Sequence, residues 1–172
     1  MDLGLLILRV LVGALFIGHG LQKLFGLFGG HGIEGTAGWL ESIGLRPGRF
    51  WARLAGLLEF GGGALLALGL LNPIGPLAII AVMLMAIAKV HATKGLWITN
   101  GGYEYNLVLM AIALLIALAG QGQYALDALL GVALPVIEVF VVGLAIVIVG
   151  ILLGLRSGQL QTGYRGPAQA AR

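Results

Sequence analysis

The sequence contains no cysteine among its 172 residues, so disulfide bridges, thiolate metal sites and cysteine nucleophiles are excluded. Charged residues are also scarce. They make up 10% of the chain, whereas a soluble domain carries about 25%. Hydrophobic residues make up 59%, which leaves too few polar side chains to cover the surface of a soluble fold. The formal net charge of +3 is too small and too scattered to indicate a nucleic-acid-binding protein.

Short catalytic motifs are missing as well. The chain has no P-loop, no HExxH, no GxSxG and no haem-attachment motif. His19 and His91 have no histidine partner three or four residues away, which is the spacing that places two metal ligands on one helix face. We therefore expect no metal site.

Long apolar runs dominate what remains. A helix needs about 20 apolar residues to cross a bilayer, and five segments approach or exceed this length: 3–28, 54–71, 77–90, 103–119 and 132–155. We predict an all-α membrane protein with a four-helix transmembrane core in residues 1–131 and a fifth transmembrane helix at 132–155. The alternative is that 132–155 lies on the membrane surface. Residues 126–131 are either a short interfacial helix or the first turns of the last span, and residues 156–172 form a polar tail.

Residues 29–53 differ from the apolar runs. They open with a glycine-rich loop and continue with a mixture of tryptophan and arginine. Tryptophan rings and long cationic side chains both favour the membrane–water boundary, so this segment is predicted to lie at the interface.

Several polar side chains interrupt the apolar runs, where a charge costs several kcal/mol unless it has a partner or a watery cavity. Glu59 shares a helix face with Gly56 and Gly63, and small residues mark helix–helix contacts, so its carboxylate is predicted inside the bundle. The alternative for the lysines is that they reach the headgroups from helix ends. The candidate ligand-binding residues at this end of the bundle are His19, Lys23, Glu59, His91, Glu104 and Asn106.

All of these residues except His91 fall within an ordered series of motifs. The series is Gly18-His19-Gly20-Leu21-Gln22-Lys23-Leu24-Phe25, Glu59-Phe60-Gly61-Gly62-Gly63, Gly101-Gly102-Tyr103-Glu104-Tyr105-Asn106-Leu107, Gly120-Gln121-Gly122 and Leu126-Asp127. It resembles the DoxX family of small bacterial membrane proteins over about residues 5–127. The resemblance implies a four-helix membrane core and an association with redox chemistry, since some members resemble the small subunit of a thiosulfate:quinone oxidoreductase. Family members usually end after the Leu-Asp element, so the run at 132–155 is additional.

Arg9 lies about two turns into the first helix and needs a partner there. Asp127 and Glu138 are the candidate carboxylates at that depth. Asp127 is favoured, because four-span relatives have the arginine without a fifth helix. We predict a structural ion pair.

The hypothesis for function is a redox-associated subunit that holds a quinone-like or other lipophilic molecule near Glu59, His91 and Glu104. Carboxylates and imidazoles supply the proton donors and acceptors that quinone chemistry requires. Electrons would come from a partner redox subunit, and any catalytic activity would be that of an oxidoreductase. The alternative is a non-enzymatic transporter or a membrane scaffold. The expected contacts are membrane lipids and the partner subunit, with a homo-oligomer left open.

Topology follows from the cations. With five spans, nine of the ten lysines and arginines fall on one side and Arg9 falls on the other. The positive-inside rule then predicts a multi-pass protein of the bacterial inner membrane with a cytoplasmic C-terminus.

Overall fold

The computed structural model describes residues 1–158, which are helical and contain no strand. From residue 159 onward, the predicted polar tail lies outside the described residues. Seven α-helices follow one another along the described chain: α1 (Asp2–Phe25), α2 (Gly32–Ser42), α3 (Gly48–Leu68), α4 (Ile74–Ala86), α5 (Glu104–Ala119), α6 (Leu126–Leu130) and α7 (Val136–Ser157).

Within residues 1–158, four helical segments are long and apolar enough to cross a membrane: Asp2–Phe25, Gly48–Leu68, Ile74–Lys94 and Val136–Ser157. The apolar helix α5 has 16 residues and is about 24 Å long, which is shorter than a hydrocarbon core of about 30 Å. The predicted all-α membrane bundle is confirmed.

The second span begins at Gly48, so the prediction that it begins at Leu54 is wrong. Glu41 explains the earlier start, because its carboxylate accepts a hydrogen bond from the Gly48 N–H at 2.8 Å and satisfies a free donor of the first turn. Only α2 remains a separate helix, packed against α1 and α3.

Helices α1 and α3 form the closest contact of the bundle. A methyl group at Gly13 would overlap the backbone of Gly63, and one at Gly20 would overlap the backbone of Phe60. Small residues allow this approach between membrane helices. Beside the contact lies an apolar core built from α1, α3, α4 and α5: Val12, Phe16, Leu66, Ile79, Ile80, Leu109, Ala113 and Ile116.

The last turns of α4 change their winding. The helix continues as a π-helical turn at Ile87–His91 and as a 3₁₀ turn at Ala92–Lys94. π-helical turns are frequent at functional sites, and this one carries Lys89 and His91. The end of the bundle that contains this turn and α2 is called the α2 end below, and the opposite end, which contains α6, is called the α6 end.

Residues 126–131 contain the separate short helix α6, and α7 begins at Val136 after Pro135 rather than at Val132. Helix α7 packs against α4 and α5, and Gly154 is its one buried residue. Its C-terminus is tied to the α2 end, where the Ser157 hydroxyl accepts a hydrogen bond from the Arg46 N–H at 3.2 Å. Most of its apolar surface therefore faces outward, as a lipid-contacting helix does.

Candidate functional site

A cavity of about 930 Å³ lies between α1, α3, α4 and α7, with side chains of α2 and α5 at its α2 end. Its walls are mostly apolar. Aromatic side chains, among them Trp39 and Trp51, line the α2 end. The titratable and amide side chains of the lining are His19, Lys23, Glu59, Lys89, His91, Tyr105, Asn106 and Glu138.

Helix α7 supplies one wall of this cavity. Val139, Val142, Ile146 and Gly150 recur at intervals of three or four residues, which places them on one face of the helix. The additional helix is therefore part of the candidate site, and Glu138 lines the cavity near the beginning of α7.

Lys23 and Glu59 form an ion pair across α1 and α3. The Lys23 Nζ atom lies 2.8 Å from Glu59 Oε1 and 2.6 Å from Oε2. The Glu59 side chain is 5% exposed and the Lys23 side chain 24%. The predicted position of Glu59 inside the bundle is confirmed, and its charge is compensated by a cation that reaches outward.

The two histidines line the same end of the cavity, and each has a fixed neighbour at Nδ1. His91 Nδ1 lies 2.7 Å from the Gly101 carbonyl oxygen, and His19 Nδ1 lies 3.1 Å from Gln22 Oε1. These contacts orient both rings and leave Nε2 without a hydrogen-bond partner among the described residues.

Asn106 and Lys89 complete the polar end. Asn106 is buried and donates from Nδ2 to the Met83 sulfur at 3.3 Å. Lys89 lines the cavity and donates to the Gly44 carbonyl oxygen at 3.2 Å.

Glu104 does not line the cavity. Its carboxylate accepts a hydrogen bond from the Ile98 N–H at 3.0 Å, and its own N–H donates to the Leu96 carbonyl. The side chain thus holds the loop before α5, a task that a carboxylate in the first turn of a helix performs well. Of the six predicted ligand-binding residues, the cavity brings together the five others.

The predicted ion pair of Arg9 is not formed: no carboxylate oxygen among residues 1–158 lies within 4.0 Å of its guanidinium nitrogens. Arg9 is fully buried and donates from Nη2 to the Tyr124 carbonyl oxygen at 3.2 Å. Asp127 is already occupied, because its two oxygens accept the N–H groups of Leu71 and Asn72 at 2.8 and 2.9 Å.

Arg9 and Asp127 nevertheless stabilise one structure at the α6 end. The Asp127 N–H donates to the Gly69 carbonyl oxygen, and a methyl group at Gly69 would overlap the Arg9 guanidinium. Both side chains therefore hold the turn between α3 and α4 against the segment before α6. Glu138 is exposed on α7 and pairs with no described cation.

The sequence did not predict that Trp39 and Trp51 line a cavity, or that one face of α7 forms a wall of it. Both tryptophans lie in the segment 29–53, which was predicted to lie at the membrane interface, and the composition of that segment does not indicate a cavity. The α7 face has a readable signal in its spacing, but any apolar helix in a bundle carries such a face.

Comparison with known proteins identifies relatives of this chain. The family model described as DoxX matches residues 4–92. The protein named "Inner membrane protein YqjF" of Escherichia coli is 33% identical over 129 residues, which cover 75% of this chain and 93% of that protein. The protein named "Putative oxidoreductase CatD" of Bacillus subtilis is 35% identical over 126 residues, which cover 73% of this chain and 86% of that protein. No solved structure matches the chain.

Proposed function

This chain belongs to the DoxX family of multi-pass bacterial membrane proteins, and from that premise we propose that it is a redox-associated subunit that binds a quinone-like lipophilic molecule. The observation that carries the proposal is the cavity between α1, α3, α4 and α7, whose walls are mostly apolar and whose polar side chains, apart from Glu138, gather at its α2 end. A quinone has the same division, with an apolar tail and a polar ring.

The size of the cavity suits this ligand class. Sites for small molecules commonly enclose about 300–1,000 Å³, and this cavity has about 930 Å³. Trp39 and Trp51 offer flat faces on which an aromatic ring stacks favourably. The ring is therefore placed at the α2 end and the tail along α4 and α7.

The chemistry of the polar end supports a redox ligand. Quinone reduction and quinol oxidation move protons as well as electrons, and His19, His91 and the Lys23–Glu59 pair supply groups that exchange protons. The chain has no cysteine to hold an iron–sulfur cluster, so we assign the electron exchange to a partner subunit. The name of the Bacillus subtilis relative includes the word oxidoreductase, in keeping with this assignment.

We place the protein in the inner membrane, with the α2 end towards the cytoplasm. Among residues 1–158, the lysines and arginines other than Arg9 gather at the α2 end, where the positive-inside rule puts the cytoplasm. A partner that exchanges electrons through the ring would then approach from that side.

Binding of a short-chain quinone to the purified protein in lipid nanodiscs tests the proposal. Quinones quench tryptophan fluorescence, so saturable quenching is expected from Trp39 and Trp51. The variant Ala81→Phe fills the cavity and should weaken binding at least tenfold. The matched control is Ala145→Phe on the exposed face of α7, which adds the same ring outside the cavity and should bind as the parent does.

Two outcomes would overturn the proposal. Quenching that rises linearly with quinone in the bilayer, without saturation, would mean that the cavity holds no quinone. Equal affinity in the Ala81→Phe and Ala145→Phe variants would place the binding elsewhere. Either result would favour the alternative of a transporter or scaffold.

A further inference from the structure

Hydrogen-bonding capacity at the polar end of the cavity is unevenly used. Lys23 directs N–H groups at both oxygens of Glu59, so the two charged groups of this pair largely satisfy each other. The indole N–H of Trp51 is also occupied, because it donates to the Arg46 carbonyl oxygen at 3.3 Å. The strongest acceptor and two of the donors are therefore already engaged within the protein.

Each of the two histidine rings, in contrast, has a nitrogen acceptor that is not engaged within the described residues. The Gly101 carbonyl oxygen can only accept a hydrogen bond, so His91 Nδ1 must carry the proton, and the neutral ring presents an unshared pair at Nε2. His19 has the same tautomer. The Gln22 amide donates from Nε2 to the Phe28 carbonyl oxygen, which turns its Oε1 towards His19 Nδ1.

Asn106 adds a third acceptor. Its Nδ2 faces the Met83 sulfur, which accepts hydrogen bonds, so Oδ1 is the free atom of the amide. The residue is 5% exposed, and it lines the cavity. The polar end thus has three acceptors without a donor among the described residues: His19 Nε2, His91 Nε2 and Asn106 Oδ1.

Donors with remaining capacity lie beside these acceptors. Lys23 and Lys89 each have an N–H group to spare, and the Trp39 indole N–H and the Tyr105 hydroxyl have no acceptor among residues 1–158. A ligand that matches this end must donate to the acceptors and still accept from Lys89 or Trp39. A phenolic hydroxyl does both, whereas a quinone carbonyl only accepts and leaves the three acceptors unpaired.

We propose that this site selects the reduced, hydroquinone form of its ligand over the oxidised quinone. The inference rests on the proposed function, because it assumes that a quinone-like molecule occupies the cavity. It adds which redox state of the ligand the protein binds more tightly. His19 is exposed, but His91 is half-buried and Asn106 is buried, and an acceptor left unmatched at these two residues weakens binding strongly. The hydroquinone should therefore bind at least about tenfold more tightly than the quinone. Such a preference raises the midpoint potential of the bound two-electron couple by about 30 mV per factor of ten.

The test compares decylubiquinol with decylubiquinone by anaerobic calorimetric titration of the protein in nanodiscs. The decisive variants are His91→Asn and His19→Asn. Asparagine retains a donor near the position of Nδ1 and removes the acceptor at Nε2, so the contact with Gly101 or Gln22 can persist. We expect the preference for quinol to fall several-fold in each variant while the affinity for quinone changes less than about threefold.

Two further variants protect the interpretation. His31→Asn makes the same change at an exposed residue outside the cavity and should keep the full preference. Asn106→Leu removes the third acceptor at a position whose side chain makes one hydrogen bond among the described residues, a weak one to sulfur, so the variant should fold and should also lose preference.

The outcomes separate the two proposals. If the parent binds quinone as tightly as quinol, or more tightly, the inference is overturned and the proposed function stands. If neither compound binds saturably, both are overturned. If the parent prefers quinol but the His91→Asn, His19→Asn and Asn106→Leu variants prefer it equally, these residues are not its source and the inference is overturned.

Discussion

Replacing Lys23 and replacing Glu59 should lower the free energy of unfolding by different amounts, although the two residues form one ion pair. Glu59 is a short carboxylate whose side chain is 5% exposed, so Lys23→Met leaves an uncompensated charge that cannot reach water. Breaking a buried pair in this way costs about 3–5 kcal/mol. The Lys23 side chain is 24% exposed and flexible, so in Glu59→Gln the ammonium can turn outward, and the cost should be about 1–2 kcal/mol.

The double variant Lys23→Met/Glu59→Leu removes both charges and replaces them by apolar groups of similar volume. Because the desolvation of the two ions is then avoided, its stability should lie within about 1 kcal/mol of the parent. The single variant Glu59→Leu closes the double-mutant cycle, and the coupling between the two positions should exceed about 2 kcal/mol.

Equilibrium unfolding of the parent and these variants in mixed detergent micelles measures these differences. Arg49→Met is the matched control, because its ion pair with Glu34 is exposed on both sides and should contribute less than about 1 kcal/mol. The reasoning is refuted if Lys23→Met is as stable as the parent, or if Glu59→Gln is the more damaging of the two single changes.

Three other predictions concern the α6 end and the topology. Asp127→Asn should lower the free energy of unfolding by about 1.5–3 kcal/mol, because an amide cannot accept both N–H bonds of the α3–α4 turn. The control is Glu34→Gln, which makes the same change at an exposed site. An equal effect of the two variants on unfolding would contradict the assignment. Gly69→Ala should lower the free energy of unfolding by more than about 2 kcal/mol, since Gly69 has a φ of 68° and a methyl group there would overlap Arg9. A methyl group at Gly61 meets open space, so the control Gly61→Ala should be neutral or stabilising in the same assay. Reporter fusions should place the C-terminus in the cytoplasm and the N-terminus outside; termini on the same side would contradict five spans.

Much of the fold was readable from the sequence, because spanning helices need long apolar runs and glycine or proline ends them. Gly26 ends α1 in a left-handed conformation, and Pro135 precedes α7. The start of α3 was misplaced by six residues because arginine and tryptophan in its first turns resemble an interfacial segment. The capping bond from Glu41, which spans seven residues, has no signature in composition.

The site was only partly predictable. Charges in apolar runs pointed to Lys23, Glu59 and His91, and the cavity includes them. The same rule failed for Glu104 and for the partner of Arg9, because backbone N–H and C=O groups also satisfy charged side chains. Sequence gives the depth of a charge in the membrane but not the loop backbone that folds over it.

Photo-crosslinking with an azido-quinone tests the central claim most directly, because it reports both binding and position. In nanodiscs, the label should attach to cavity-lining residues near Trp39, Trp51 and His91, and an excess of unlabelled quinone should suppress it. Labelling that is confined to outward residues of α7 such as Ile148, or labelling that unlabelled quinone does not reduce, would contradict a quinone site within the bundle.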